Sequence, residues 1–131
     1  MPSTEQNKTF AELYEIIKQL RGPDGCPWDR KQSPESIKKY LLEETSELAD
    51  AITHGDNTHI CEEIGDLFFI LLLLMRMFEE DDHFTPHDVL SGIARKMIRR
   101  HPHVFAGMET GSDSELKLQW EAIKAREKKN P

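Results

Sequence analysis

Residues 41–66 read LLEETSELADAITHGDNTHICEEIGD, and this stretch decides the fold. Leu41, Leu48 and Ile52 lie on an amphipathic helix on one side of Gly55, and a further helix begins near Thr58 on the other. Gly55 and Asp56 end the first of these helices and turn the chain. So short a connection makes the two helices antiparallel neighbours. Their heights can then be compared from the apex. Glu47 stands 8 residues before Gly55 and Glu63 stands 7 after Asp56, or ~12 and ~10.5 Å along the axes. Glu44 and Asp66 form a second rung, 11 residues before and 10 after, at ~16.5 and ~15 Å. E-x-x-E on one helix and E-x-x-D on its partner thus turn four carboxylates toward one seam.

Like charges so placed repel, and each such pair costs a few tenths of a kcal/mol on an exposed helix. Beside an apolar seam they cannot all stay ionised unless positive charge offsets them. A solvated acidic face is the plain alternative for E-x-x-E alone; the height-matched second pair favours a cation site. An all-carboxylate donor set, without imidazole or thiolate, suits Mg²⁺, with Mn²⁺ as substitute, rather than Zn²⁺. A di-iron carboxylate bundle would require Glu-x-x-His motifs. Only Glu80 with His83 has that spacing, and it lies ~20 Å beyond Asp66 along a continued helix.

The 131 residues suit one domain, 1–131, with a core built without disulfides or a structural metal. Seventeen Lys and Arg against 24 Asp and Glu give a net charge of -7, the wrong sign for binding nucleic acid or an anionic membrane through the overall field. Cys26 and Cys61 form no zinc or disulfide pattern. MPSTEQNKTF lacks an apolar signal core, and the apolar run from Leu67 to Met75 is too short to span a bilayer. These features predict a soluble, cytoplasmic protein.

The other segments read as helices as well. Phe10, Leu13, Ile16, Ile17 and Leu20 predict a first helix, with Thr9 and Glu12 as its capping box. Residues 21–34 carry two Gly and three Pro and predict a loop that displays Trp28, which could stack on a base or cap the bundle end. Ser33-Pro34 opens the second helix and Thr58 the third, which is apolar all round between Leu67 and Phe78 apart from Arg76. That surface exceeds what one small domain covers and predicts a homodimer. A fourth helix from Thr85-Pro86 carries Val89, Leu90, Ile93 and Met97 on one face and ends at Pro102. A short fifth, capped by Ser112 with Glu115, precedes a charged tail. The expectation is an all-α bundle of about five helices. Lys96 and Arg100, spaced i,i+4 with Arg99 adjacent, either complement the fourth helix's dipole or hold substrate phosphates.

Taken together, E43-E44-x-x-E47 and E63-x-x-D66 resemble the signature of the MazG-type nucleoside triphosphate pyrophosphohydrolases. LRGPDGCPWDRKQS (20–33), YLLEETSELADAI (40–52), EEIGDLFF (62–69), RRHPHVFAG (99–107) and ELKLQWEAIKAREKK (115–129) look like blocks of that family in the same order. The resemblance implies an all-α NTP pyrophosphatase fold, Mg²⁺ dependence, homodimers or homotetramers, and cleavage of an NTP or dNTP to monophosphate and pyrophosphate. Carried over, Glu44, Glu47, Glu63 and Asp66 are metal ligands and Lys96 and Arg100 contact the substrate phosphates; Arg99 and Trp28 join them as candidate substrate contacts. Glu43 matches the motif's first glutamate. Rotated about 100° from Glu44, it is placed as general base for the attacking water. Related enzymes acting on dUTP, dCTP or phosphoribosyl-ATP, and a non-catalytic binding module, are the alternatives. Some members carry two such domains in tandem, whereas 131 residues hold one.

Overall fold

Asp56 caps the helix that follows it: its Oδ1 accepts from the backbone N–H of Thr58 at 3.0 Å and of His59 at 3.4 Å. Gly55 ends the preceding helix in the left-handed conformation, φ 76°, with its N–H on the Ala51 carbonyl. These two residues join α3 (Pro34–His54) to α4 (Asn57–Glu80) as the expected antiparallel hairpin. A computed structural model of the chain describes residues 4–130, with side chains from residue 9 onward. Within them lie five longer helices and two single turns, and no strand: α1 (Thr4–Leu20), α2 (Pro27–Arg30), α3, α4, α5 (Pro86–Arg100), α6 (Pro102–Phe105) and α7 (Asp113–Lys129). The architecture is all-α, as the periodicity predicts. The chain groups into two compact units, one up to Pro86 and one from His87 onward.

In the first unit α1 and α3 pack on α4. Ile70, Leu73 and Met77 of α4 share one stripe and meet Tyr14 and Ile17 of α1 and Ile37 of α3, with Leu72 beside them; all are buried. The opening of α3 follows the predicted Ser33-Pro34 signal. Ser36 rather than an acid completes the cap: Ser36 N donates to Ser33 Oγ at 3.2 Å and Ser33 N to Ser36 Oγ at 2.9 Å. The loop after α1 is folded tightly against that helix. Cys26 N donates to the Leu20 carbonyl at 2.9 Å, and a Cβ on Gly25 would stand 2.2 Å from the Leu20 oxygen, so only glycine fits. Arg21 clamps the loop: its Nη1 donates to the carbonyls of Asp29 and Gln32, and its Nη2 lies 2.7 Å from Glu80 Oε1.

Several expectations are corrected here. Helix α1 begins at Thr4, so Thr9 and Glu12 lie inside it and not at its start. The loop expected to be irregular contains the turn α2, with Trp28 on it, because Pro27 sits at a first helical position where its missing N–H costs nothing. As its all-round apolar pattern anticipates, α4 is not fully covered within the first unit: Ile64, Phe68 and Leu71, spaced i, i+4, i+7, remain 43%, 50% and 37% exposed. In the second unit α5 buries no residue, and Leu90 and Ile93 of its apolar face are exposed. The last helix is not short, because the charged tail continues α7 to Lys129. Its start is the predicted one, with Ser112 and Glu115 each capping the other's N–H.

Candidate metal centre

The hairpin turn sets the register between α3 and α4, and Ala51, fully buried on α3 one turn beyond Glu47, offers only a methyl to the packed interior. In that register Glu44 of α3 meets Glu63 and Asp66 of α4. One carboxylate oxygen from each of the three lies within 4.8 Å of the others. Glu63 is 8% exposed, Glu44 half-buried and Asp66 exposed, so the trio runs from a buried acid to one in contact with solvent. Glu44 Oε2 and Glu63 Oε2 are both buried without a hydrogen-bond partner. Buried acceptors left bare cost free energy, and most in native proteins are satisfied.

The charges compound that cost. Burial, then the charges of Glu47, Asp66 and Glu63, push the Glu44 carboxyl above the ordinary carboxylate range. Glu47, exposed one turn along α3, thus bears on Glu44 but does not belong to the three oxygens that close to 4.8 Å. Glu43 is exposed at the next position around the helix. The donors fit a hard divalent cation: three carboxylates, two with a bare inward oxygen, and neither imidazole nor thiol in the trio. Glu80 and His83 take no part, and Glu80 is held by Arg21 instead.

Trp28 is 38% exposed and packs edge-on against Tyr40 with ring centroids 5.4 Å apart. Lys96, Arg99 and Arg100 belong to the second unit. Lys96 is half-buried on α5. Arg99 Nε donates to Glu127 Oε2 at 2.6 Å, and Arg100 Nη2 to Glu127 Oε1 at 2.8 Å. Arg100 and Arg99 together hold the Glu127 carboxyl down to about 2. Two guanidiniums against one carboxylate leave one net positive charge, and the Arg100 guanidinium also lies 5.0 Å over the Trp120 ring. Arg99 and Glu127 border a cavity of about 700 Å³ that Met108 and Ile123 line with apolar surface. His101 Nδ1 lies 2.6 Å from the Met97 carbonyl and His103 Nδ1 3.1 Å from Gln119 Nε2.

Two residues beside these groups are missing from the sequence reading. Glu127 pairs with cations 27 and 28 positions away, and no local signal marks such a contact. His59 lies against Glu63, with Nε2 3.1 Å from Oε1. Its i,i+4 spacing to Glu63 was the available clue.

Comparison with known proteins places the chain among relatives of one family. Residues 32–105 match the MazG nucleotide pyrophosphohydrolase domain. The nucleoside triphosphate pyrophosphohydrolase/pyrophosphatase MazG of Thermotoga maritima is 44% identical over 119 residues, covering 91% of this chain and 45% of that protein. The nucleoside triphosphate pyrophosphohydrolase of Escherichia coli K12 is 41% identical over 117 residues, 88% of this chain and 44% of that one. YabN of Bacillus subtilis, described as uncharacterized, is 44% identical over 119 residues, but these make up 24% of its length. The chain therefore spans between a quarter and a half of these relatives. A crystal structure of a mazG-related protein from Thermotoga maritima superposes with a TM-score of 0.73 at 31% identity, covering 88% of this chain and 98% of that one.

Proposed function

The chain belongs to the MazG nucleotide pyrophosphohydrolase domain family, and on that premise we propose that it hydrolyses nucleoside triphosphates, NTP or dNTP, to the monophosphate and pyrophosphate, clearing unwanted nucleotides from the cytoplasmic pool. The observation that carries this reading is the pair of buried, unpartnered oxygens on Glu44 and Glu63 within a trio of carboxylates. Mg²⁺ is the cofactor proposed for it, with Mn²⁺ as substitute. When bound, such a cation neutralises phosphate charge and acidifies water. Glu44, Glu63 and Asp66 hold it, and Glu47 adds a fourth carboxylate beside Glu44.

The remaining roles fall to the chain's own side chains. Glu43, exposed next to Glu44 and turned about 100° from it, accepts the proton of the attacking water. Lys96, with Arg100 and Arg99, binds the β- and γ-phosphates, drawing on the positive charge that Glu127 leaves uncancelled. Trp28, 38% exposed, stacks on the base. With both terminal phosphates held, the α-phosphorus is the electrophile left to attack, and pyrophosphate leaves because the cations stabilise its developing charge. The exposed Ile64, Phe68 and Leu71 stripe on α4 supports a homodimer, or a homotetramer made of two, in which this stripe is covered. Sedimentation at low micromolar concentration tests that assembly, and a folded monomer would refute it. No nucleic acid or membrane partner is proposed. Among the described residues no helix is long and apolar enough to cross a membrane.

Product analysis decides the reaction. Incubation of a panel of NTPs and dNTPs with Mg²⁺ in ¹⁸O-labelled water should yield labelled monophosphate and unlabelled pyrophosphate. Orthophosphate with a diphosphate would mean attack at the γ-phosphorus, and label confined to pyrophosphate would mean attack at the β-phosphorus. Either result overturns the assignment.

A further inference from the structure

The imidazole of His59 touches the candidate metal centre without belonging to it. Its Nε2 lies 3.1 Å from Glu63 Oε1, while the oxygens that close to within 4.8 Å come from Glu44, Glu63 and Asp66, with no imidazole nitrogen among them. The two oxygens of Glu63 are thus in different states: Oε1 has His59, and Oε2 is buried with no partner. A carboxylate is planar, so a donor that fixes one oxygen also fixes the direction of the other. His59 is itself well anchored. It is the third residue of α4, and its backbone N–H is held by the capping oxygen of Asp56 at 3.4 Å. The imidazole therefore leaves a first turn that the hairpin apex has already set. One face of it remains in water, the side chain being 49% exposed, while the Glu63 side chain is 10% exposed.

We propose that His59 is a positioning residue for the cation site: Nε2–H donates to Glu63 Oε1, which aims the bare Oε2 into the trio and makes Glu63 a one-oxygen ligand. The inference rests on the trio being the cation site. Donors of this kind behind a ligand typically change metal affinity or activity 10- to 100-fold when removed. An ordinary exposed i,i+4 pair would instead contribute little to anything. The two roles separate by chemistry. A positioning role needs a donor near the imidazole's reach, which glutamine keeps and alanine lacks.

The experiment is Mn²⁺ binding to the full chain, followed by electron paramagnetic resonance of the free ion, with the melting temperature of the metal-free protein recorded alongside. His59→Ala should weaken Mn²⁺ binding about tenfold or more, His59→Gln should recover most of that loss, and both should melt like the wild type without metal. Glu63→Gln should bind far more weakly than either. If His59→Ala binds Mn²⁺ as the wild type does while Glu63→Gln does not, the positioning role is overturned and the cation site stands. Equal weakening by alanine and glutamine also overturns it, since the donor would then be irrelevant. A wild type that binds no Mn²⁺ overturns both the inference and the site beneath it.

Discussion

The two ends of α4 handle glutamate in opposite ways. Near its start, Glu63 and Asp66 face Glu44 with no cationic side chain in the cluster; burial and neighbouring charge push Glu44 up. Toward its end, Glu79 accepts from the Tyr14 hydroxyl and from Arg76 Nη1, both at 2.7 Å. Those bonds, Tyr14's first and then that of Arg76, hold the Glu79 carboxyl below its ordinary range although burial opposes them. The same residue type on the same helix is thus driven in opposite directions by what faces it. At the Glu79 end the chain supplies the compensating groups itself, and the cluster joins α1 to α4. At the Glu63 end the chain sets three acids together with a single imidazole contact, His59 to Glu63 Oε1, and leaves Glu44 Oε2 and Glu63 Oε2 bare, so most of the compensation has to come from outside. A structural ion pair and a binding site differ in where the balancing charge originates.

Removing one acid from the uncompensated end should produce the largest effect. Glu44→Gln or Asp66→Asn should lower Mg²⁺-dependent pyrophosphate release by at least ~1,000-fold, about 4 kcal/mol in the barrier. The metal-free variants should melt no lower than the wild type, since a repulsion has been relieved. Unchanged turnover in either variant would erase the contrast between the two ends.

Next in size is the response to the cation. At a concentration about 100 times its dissociation constant, Mg²⁺ or Mn²⁺ should stabilise the wild type by about 2.7 kcal/mol, read as a rise in thermal midpoint. The rise should vanish in Asp66→Asn and persist in full in Tyr14→Phe. A Tyr14→Phe protein that no longer responds would show that the two ends are coupled.

The compensated end predicts a smaller loss. Tyr14→Phe removes a part-buried hydrogen bond to a charged acceptor and should cost about 1.5–3 kcal/mol in urea unfolding, with metal binding unaltered. Burial, followed by the bond to Glu79, pushes the Tyr14 hydroxyl from 10.0 up to about 12. A group raised in the folded state contributes its stability fully below the unfolded value and loses it as pH rises through the folded one. The difference between wild type and Tyr14→Phe should therefore hold up to about pH 10 and shrink toward pH 12.

The smallest effect belongs to Glu127, a compensated, half-buried acid of the second unit whose partner Arg99 is exposed. Arg100 and Arg99 lower its carboxyl from 4.5 to about 2, so its contribution is present above the unfolded value and lost as pH falls toward 2. Glu127→Gln should destabilise less than Tyr14→Phe, and added salt should diminish the difference further, because exposed pairs are screened. An effect that salt leaves untouched would indicate that the pair is desolvated.

The sequence by itself determined what short-range hydrogen bonding governs. Ser33-Pro34, Gly55-Asp56 and Ser112 with Glu115 mark helix ends that the structure reproduces to within a residue or two, because a cap is made by neighbours in the chain. With the hairpin apex so marked, counting residues placed Glu44 beside Asp66. The same local reading misplaced the start of α1, where Thr9 and Glu12 have capping-box spacing but the helix has already begun at Thr4. Only the tertiary structure decided which acids find a countercharge. Tyr14 meets Glu79 across 65 positions and Arg99 meets Glu127 across 28, distances at which spacing carries no information. It also decided burial: Leu73 and Phe68 are equally apolar letters on α4, yet Leu73 is fully buried and Phe68 is half exposed. Hydrophobicity measures how strongly a side chain seeks cover, and only the packed chain determines whether that cover is present.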